Sequence, residues 1–296
     1  MTSADGARFL TPEGEPRAFV IVSSARSGSN LLVGYLRQVS QAACFGEILR
    51  DQFVDKPGWG KLVDRLDLPD TARMMHAHDL NAFWELFLAH GLRRRRWLGA
   101  KVFYYHRRGD PVWERFAERD HRVIHLWRDA TFDQYVSRLL AVASGEWKAP
   151  GAGGPAGRDA DAGPETDASG TDTIEPLAGV HRPDEPRVTF DAADYLRYRD
   201  ALRADIEATR ARYGATAHYA EIEYTQLLDH AFVRSLVERL FEERIDVEET
   251  LRRQRSRPKI EYLVNPADAE PFAADSMTRG FRFSSPAGPT RTSGTD

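Results

Sequence analysis

The chain has 296 residues, of which 42% are hydrophobic and 10% aromatic, so it can bury a sizeable core in one large or two small domains. Its formal net charge of -4 argues against a dedicated nucleic-acid-binding protein, which needs a basic surface. A single cysteine excludes an intrachain disulfide, and no stretch approaches the roughly 20 apolar residues of a membrane span. Residues 1–17 contain no apolar signal-peptide core, so we expect a cytoplasmic protein.

The first patterned stretch predicts a strand, a polar loop and the start of a helix. Residues 19–22 are an apolar run typical of a buried strand in a parallel sheet. Residues 23–30 are small and polar, and from Leu31 onward apolar residues recur at helical spacing. This order directs backbone N–H groups and the positive end of a helix dipole toward one point, which predicts a site for a phosphate-sized anion. The alternative is a serine-rich turn that only caps the helix.

The loop does not have the sequence of a nucleotide-triphosphatase loop. Gly28 is followed by Ser29 and Asn30 where that motif has lysine and then serine or threonine. The positive charge instead precedes the glycine, at Arg26, and Ser27 lies between them. This arrangement suits a site that binds a phosphate-like group without a metal ion.

The run Ser-Ala-Arg-Ser-Gly-Ser-Asn-Leu-Leu, residues 24–32, resembles the 5′-phosphosulfate loop of sulfotransferases. These enzymes use 3′-phosphoadenosine 5′-phosphosulfate (PAPS). Within them the loop is most similar to the bacterial carbohydrate branch, which includes trehalose 2-sulfotransferase and the Nod-factor sulfotransferases. The resemblance implies that Arg26, Ser27, Gly28, Ser29 and Asn30 bind the 5′-phosphosulfate.

Glu47 follows a second predicted strand, residues 42–45, and is a candidate general base. Open α/β folds build their sites at the carboxyl ends of parallel strands, which would put this carboxylate beside the anion loop. The resemblance implies the same role, since family members have Gly-Glu after this strand. The chain departs from the trehalose enzyme at Arg50, where that enzyme has a second glutamate. The alternative, that Glu47 only orients a substrate hydroxyl, stays open.

Residues 51–81 contain two short helical patterns and, in this fold, would form the acceptor pocket, ahead of a helix at 83–92. His76 and His78 alternate within it, but two histidines without further ligands are weak evidence for a metal site. We expect them to have surface or helix-cap roles.

The third predicted strand, residues 97–103, contains a lysine. Lysine is rarely buried without a partner, so Lys101 is a candidate for function. The family often has Gly-x-Lys here, which implies that Lys101 lies near the transferred sulfuryl group and offsets charge on the bridging oxygen. His106 is a rival base because an unperturbed histidine titrates near neutral pH. The alternatives are an edge-strand charge and an exposed loop histidine.

A second anion element follows the predicted strand at 121–127. Arg128 begins a helical pattern, and Ser137 lies nine residues later. This resembles the Arg…Ser pair that holds the 3′-phosphate of PAPS, at the spacing of the trehalose-type enzymes. An arginine offers a forked, charge-assisted grip on phosphate, and a hydroxyl adds a shorter donor.

The C-terminal half begins with a tract, residues 149–186, that is too poor in large apolar residues to fold and predicts a flexible insertion. A helix at 190–213, a strand at 217–224 and a helix at 233–241 follow. Gln226 departs from the family at one position after this strand. Arg257 and Lys259 resemble the family's basic segment and either reach the nucleotide or are solvated.

We therefore predict an α/β, P-loop-like fold with a mostly parallel sheet flanked by helices, as a single domain with a flexible insertion. Its expected parts are a flexible N-terminus (1–17), a sulfotransferase domain (18–283) and a disordered tail (284–296). The resemblance implies sulfuryl transfer from PAPS, without a metal, to a hydroxyl of a carbohydrate or glycolipid. Two alternatives stay open: a P-loop-type kinase, and an inactive nucleotide-binding relative.

Overall fold

The computed structural model describes residues 17–51, 53–106, 108–118, 120–145, 186–247 and 258–277. Apart from Arg17 and Pro186, the predicted flexible N-terminus, the insertion at 149–186 and the tail at 284–296 lie outside these residues. Arg257 also lies outside them. Among the described residues no helix is both long enough and apolar enough to cross a bilayer.

The described residues contain one five-stranded sheet in the order β2–β3–β1–β4–β5, and every neighbouring pair is parallel. The strands are β1 (Ala18–Ser23), β2 (Ala42–Phe45), β3 (Trp97–Phe103), β4 (His121–Trp127) and β5 (Tyr219–Glu223). The predicted α/β fold with a mostly parallel sheet is confirmed, and the bounds predicted for β2, β3 and β4 are those observed.

Helices connect the strands and cover both faces of the sheet. They are α1 (Ser29–Leu36), α2 (Pro57–Leu66), α3 (Thr71–His78), α4 (Leu80–Gly91), α5 (Val112–Arg115), α6 (Thr131–Ser144), α7 (Ala192–Tyr213), α8 (His230–Phe241) and α9 (Pro266–Ala269). Short 3₁₀ turns, one of them at Tyr224–Leu228 directly after β5, complete the connections.

Strand β1 lies at the centre of the sheet, and its side chains alternate between two cores. Val20 and Val22 belong to one core, together with the α4 residues Phe83, Trp84 and Phe87. Phe19 and Ile21 belong to the other core, together with Tyr35 of α1 and with Val237 and Phe241 of α8. Because both faces of the strand are buried, its sequence is a continuous apolar run and does not alternate.

The strand order places the carboxyl ends of four strands next to one another. From β1 the chain builds β2 and β3 on one side of the sheet and then crosses to build β4 and β5 on the other. Ligands of open parallel sheets bind where this change of direction occurs, outside the carboxyl ends of the strands. The predicted site residues lie in the segments that follow β1, β2 and β4, and Lys101 lies within β3 near its carboxyl end.

The C-terminal described segment fixes the turn between β4 and α6. The Met277 N–H donates to the Asp129 carbonyl oxygen at 3.0 Å, and the Ser276 hydroxyl donates to the Asp129 carboxylate at 2.5 Å. A third apolar cluster joins Phe132 of α6 to Tyr195 of α7 and to Leu263. These contacts hold the turn between Arg128 and the start of α6 at Thr131.

Gly99→Ala is expected to lower the free energy of unfolding by about 1–3 kcal/mol, the usual cost of overpacking a core. A Cβ at residue 99 would lie 2.3 Å from the Phe19 carbonyl oxygen on the neighbouring strand β1. Urea unfolding of the variant measures the change. The matched control is Gly60→Ala in α2, where a Cβ meets no atom within 4 Å and helix propensity favours alanine by up to about 1 kcal/mol. Equal stability of the two variants would contradict the close approach of β1 and β3.

Candidate active site

The loop between β1 and α1 has the backbone geometry of an anion site. Arg26 and Gly28 both adopt the left-handed conformation, with φ of 64° and 92°. The Gly28 carbonyl accepts N–H donors from Leu31 and Leu32, so α1 begins at Ser29, two residues before the predicted start. The N–H groups of Gly28, Ser29 and the next residue find no acceptor among the described residues. Such free N–H groups at a helix start bind oxyanions.

Gly28 is required here for two reasons. Its positive φ strains any residue with a side chain. A Cβ at this position would also lie 2.3 Å from Cδ2 of Tyr224, whose ring packs directly on the glycine. The Arg128 guanidinium lies over the same ring, 4.9 Å from its centroid. Tyr224 therefore separates the anion loop from Arg128 at a fixed distance.

Side-chain hydrogen bonds hold the loop in shape without a ligand. The Ser27 hydroxyl donates to the Ser24 carbonyl oxygen at 2.8 Å, which leaves the backbone of Ser27, rather than its side chain, to serve an anion. Gln134 of α6 donates to the Ser24 hydroxyl at 2.5 Å and to the Ala25 carbonyl oxygen at 2.7 Å. A loop that is already ordered loses less conformational entropy on binding.

The two predicted anion elements meet directly. The Arg26 Nε donates to the Ser137 Oγ at 3.0 Å, across 111 residues of sequence. Arg128 and Ser137, which the resemblance assigns to one 3′-phosphate, have different hydrogen-bond partners in the structure. Arg128 donates from Nη2 to Asp133 at 3.1 Å. Ser137 thus joins the β1 loop to α6.

Arg128 can still donate a hydrogen bond to a ligand. It is buried at the end of β4, with 9% of its surface exposed. Its Nε is buried and has no acceptor among the described residues. A buried donor without an acceptor costs about 1–3 kcal/mol, so the arrangement fits an anionic ligand that supplies the acceptor.

Lys101 and Glu47, the two predicted catalytic residues, form an ion pair beside the loop. The Lys101 ammonium is buried, lies 3.2 Å from Glu47 Oε1 and donates to Asn30 Oδ1 at 2.6 Å. Burial lowers the pKa of Lys101, and the Glu47 charge opposes this shift. A buried lysine needs such partners, because an unpaired charge in the interior is unstable. Asn30 connects the pair to the first turn of α1.

His106 completes the surroundings of Glu47 and is buried, not the exposed loop histidine of the alternative interpretation. Its Nδ1 accepts the Phe103 N–H at 3.2 Å. The neutral ring therefore carries its proton on Nε2, which lies 3.7 Å from Glu47 Oε2. Burial lowers the pKa of His106 to about 4. In this tautomer neither ring nitrogen is free to accept a proton, which argues against His106 as the base.

The histidines at 76 and 78 belong to no metal-binding cluster among the described residues. His76 is buried, contacts the Ile48 carbonyl oxygen through Nε2 at 2.9 Å and packs against Phe83. His76 therefore does not have the surface or helix-cap role that the sequence predicts. Among the described residues no group of three His, Cys, Asp or Glu side chains is arranged to hold a metal ion.

Two residues of the site were missed by the sequence analysis. Gln134 left no readable signal, because it lies two residues from Phe132 and Val136 and so on another face of α6, where a polar residue usually contacts solvent. Tyr224 left none, because a tyrosine at the end of a strand is common. Its importance follows only from the ring's contact with Gly28.

Comparison with known proteins adds little to this geometry. No protein-family model matches the chain, and no curated protein matches it. Among solved structures, the chain is similar to the sulfotransferase domain from the Synechococcus PCC 7002 olefin synthase. The identity is 13%, the alignment covers 92% of this chain and 90% of that chain, and the TM-score is 0.37. A similarity this low carries no argument about function, which must rest on the site itself.

His106 is expected to stay neutral, protonated at Nε2, down to about pH 4, because burial disfavours its charged form. Long-range ¹H–¹⁵N spectra recorded as a function of pH will show this tautomer, with His106→Gln assigning the resonance. The unfolded chain binds a proton at the ordinary value of 6.5 and the folded chain does not. Wild type should therefore lose stability relative to His106→Gln as pH falls from 6.5 toward 4. Titration of the assigned ring near neutral pH would contradict the assignment.

Proposed function

We propose that this protein is a PAPS-dependent sulfotransferase that transfers a sulfuryl group to a hydroxyl of an acceptor molecule. One observation carries the proposal. The two anion elements bond each other through Arg26 and Ser137, beside the ion pair of Lys101 and Glu47. A donor with phosphate groups at both ends needs two such elements close together. The resemblance of residues 24–32 and of the Arg128–Ser137 spacing to the sulfotransferase motifs supports the same interpretation.

The residues present fit PAPS. The free N–H groups of Gly28, Ser29 and Asn30, with the Arg26 guanidinium, would hold the 5′-phosphosulfate. The unpartnered Nε of Arg128 and the Ser137 hydroxyl would hold the 3′-phosphate. The Arg128 contact would also discriminate against ATP, which has no 3′-phosphate.

When bound, PAPS supplies an activated sulfuryl group and is left as adenosine 3′,5′-bisphosphate. Glu47 takes the proton of the acceptor hydroxyl as that oxygen bonds to sulfur. Its carboxylate is oriented by the Lys101 ammonium on one oxygen and faces the Nε2–H of His106 on the other. Lys101 stabilises negative charge on the departing bridging oxygen. The hydrogen bond to Asn30 holds the lysine against the loop that would bind the donor.

We assign the base to Glu47 rather than to His106 or to a second carboxylate. His106 has no free nitrogen in its tautomer. The position of the family's second glutamate is Arg50, whose guanidinium lies 3.9 Å from Glu47. The acceptor class proposed from the sequence is a carbohydrate or a glycolipid.

Arg128→Gln is expected to weaken binding of adenosine 3′,5′-bisphosphate by about tenfold or more, since a charge-assisted hydrogen bond contributes about 1.5–3 kcal/mol. Binding of 5′-AMP, which lacks the 3′-phosphate, should not change. Calorimetry with both nucleotides measures the difference. Arg244→Gln is the matched control, because this side chain is 87% exposed and, among the described residues, pairs only with Glu238. A loss of equal size for both nucleotides would remove the 3′-phosphate assignment.

Glu47→Gln is expected to lower kcat for sulfate transfer by about 10²–10⁴, the usual contribution of a general base, and to leave bisphosphate affinity unchanged. Radiolabelled transfer into an acceptor panel measures the rate. The exposed Glu207→Gln on α7 is the control. If Glu47 only positions the acceptor, KM will rise while kcat persists.

A further inference from the structure

Glu223, the last residue of β5, uses both of its carboxylate oxygens to connect two neighbouring segments. Its Oε1 accepts the Asp129 N–H at 3.2 Å, across 94 residues of sequence. Its Oε2 accepts the Thr225 N–H at 2.7 Å and also the Thr225 hydroxyl. One side chain thus attaches the end of β5 both to the turn that follows β4 and to the turn that follows β5 itself.

The bond to Asp129 fixes the backbone directly beside Arg128. On the other side of Arg128, Trp127 is paired with Glu223 in the parallel ladder of β4 and β5. The carbonyl oxygen and the carboxylate of Asp129 are held by the C-terminal segment, as described for the fold. Arg128 therefore lies between two residues whose positions both depend on Glu223.

The other bonds of Glu223 fix the turn that carries Tyr224. The Glu223 N–H donates to Gln226 Oε1 at 2.8 Å, so the side chains of these two residues cap the 3₁₀ turn reciprocally. Tyr224 is the first residue of this turn, and its ring contacts Gly28 and lies beneath the Arg128 guanidinium. The carboxylate at the end of β5 therefore also determines where this ring lies.

We infer that Glu223 is a positioning residue for the 3′-phosphate, which acts through Arg128 and need not contact the nucleotide. It holds the backbone beside the arginine through Asp129, and it holds the ring beneath the guanidinium through the turn at Tyr224. An arginine that is oriented in advance loses less conformational entropy when it binds a phosphate. Without the carboxylate, the Asp129 N–H and the Thr225 N–H lose their acceptor and both turns loosen. The inference rests on the proposed function, since the 3′-phosphate belongs to the donor of that reaction.

The test measures the 3′-phosphate preference, which is the ratio of the dissociation constants of 5′-AMP and adenosine 3′,5′-bisphosphate, by calorimetry on the whole chain. Glu223→Ala should lower this preference about three- to tenfold, the range expected when one side chain must be ordered on binding. Asp229→Ala is the matched control, because Asp229 caps the start of α8 by accepting the Ala231 N–H at 2.8 Å. Both variants lose a cap and some stability, but the control should retain the preference.

A double variant shows whether the effect depends on the arginine. In the Arg128→Gln background, Glu223→Ala should change the preference no further, because residues that act through one another are not additive. Glu223→Gln keeps one acceptor oxygen and should show a smaller loss in the same direction. An unchanged preference in Glu223→Ala overturns the inference, since the residue would then only support the fold. A further loss of the same size in the Arg128→Gln background also overturns it.

A second measurement separates this inference from the proposed function. The ¹⁵N relaxation of the Arg128 Nε–H, assigned with Arg128→Gln, reports the mobility of the side chain in the ligand-free protein. We expect an ordered signal in wild type and in Asp229→Ala, and a mobile one in Glu223→Ala. If wild type does not prefer the bisphosphate to 5′-AMP, the proposed function fails, and this signal alone decides whether Glu223 positions the arginine. An equally ordered Arg128 in Glu223→Ala then overturns the inference.

Discussion

The candidate site depends on the attachment of one loop to one helix. The Arg26–Ser137 hydrogen bond and the two bonds donated by Gln134 join the β1 loop to α6. Without them, the free N–H groups at the start of α1 and the guanidinium of Arg128 would be two unrelated features of adjacent strands. With them, the loop and the helix form a single surface whose spacing is fixed before any ligand arrives. The left-handed backbone of Arg26, uncommon for a residue with a side chain, is maintained by this attachment.

A buried charge imposes the second constraint. Lys101 lies within β3, where both faces of the sheet are covered, and its ammonium is stable there only because Glu47 and Asn30 contact it. The same contacts orient the Glu47 carboxylate between the lysine and the Nε2–H of His106. The group proposed as the base is therefore also the counter-ion of a buried lysine. Replacement of that pair by apolar residues could stabilise the fold but would remove the proposed base and the proposed cation. Stability and activity therefore need not be optimal together at this position.

The strands were predictable because their information is local. Residues 97–103 and 121–127 are rich in apolar and aromatic residues, although they include Lys101 and Arg122, and burial on both faces makes such runs readable from the sequence alone. The anion loop was also readable, since glycine and small polar residues between a strand and a helix have few other uses. The partner of Ser137 was not readable from the sequence. Its hydrogen bond to Arg26 joins residues 111 positions apart, and such a contact produces no periodic sequence pattern. The sequence did not predict that His106 and His76 are buried, for the same reason. Only the packed fold determines which polar side chains are enclosed. The assignments of individual site residues to phosphate groups stay predictions.

The charge of the whole chain and the charge of its site have opposite signs, and this difference bears on function. The formal net charge is -4, yet four cations, Arg26, Arg50, Lys101 and Arg128, lie around the candidate site. Among the described residues, the carboxylates that form ion pairs with these cations are chiefly Glu47 and Asp133. A cleft with a local excess of one sign concentrates ligands of the other sign and speeds their association. One guanidinium from each anion element, Arg26 and Arg128, suffices for the two ends of a doubly phosphorylated donor. The local excess of positive charge is therefore the physical reason to expect a donor that carries phosphate groups at both ends.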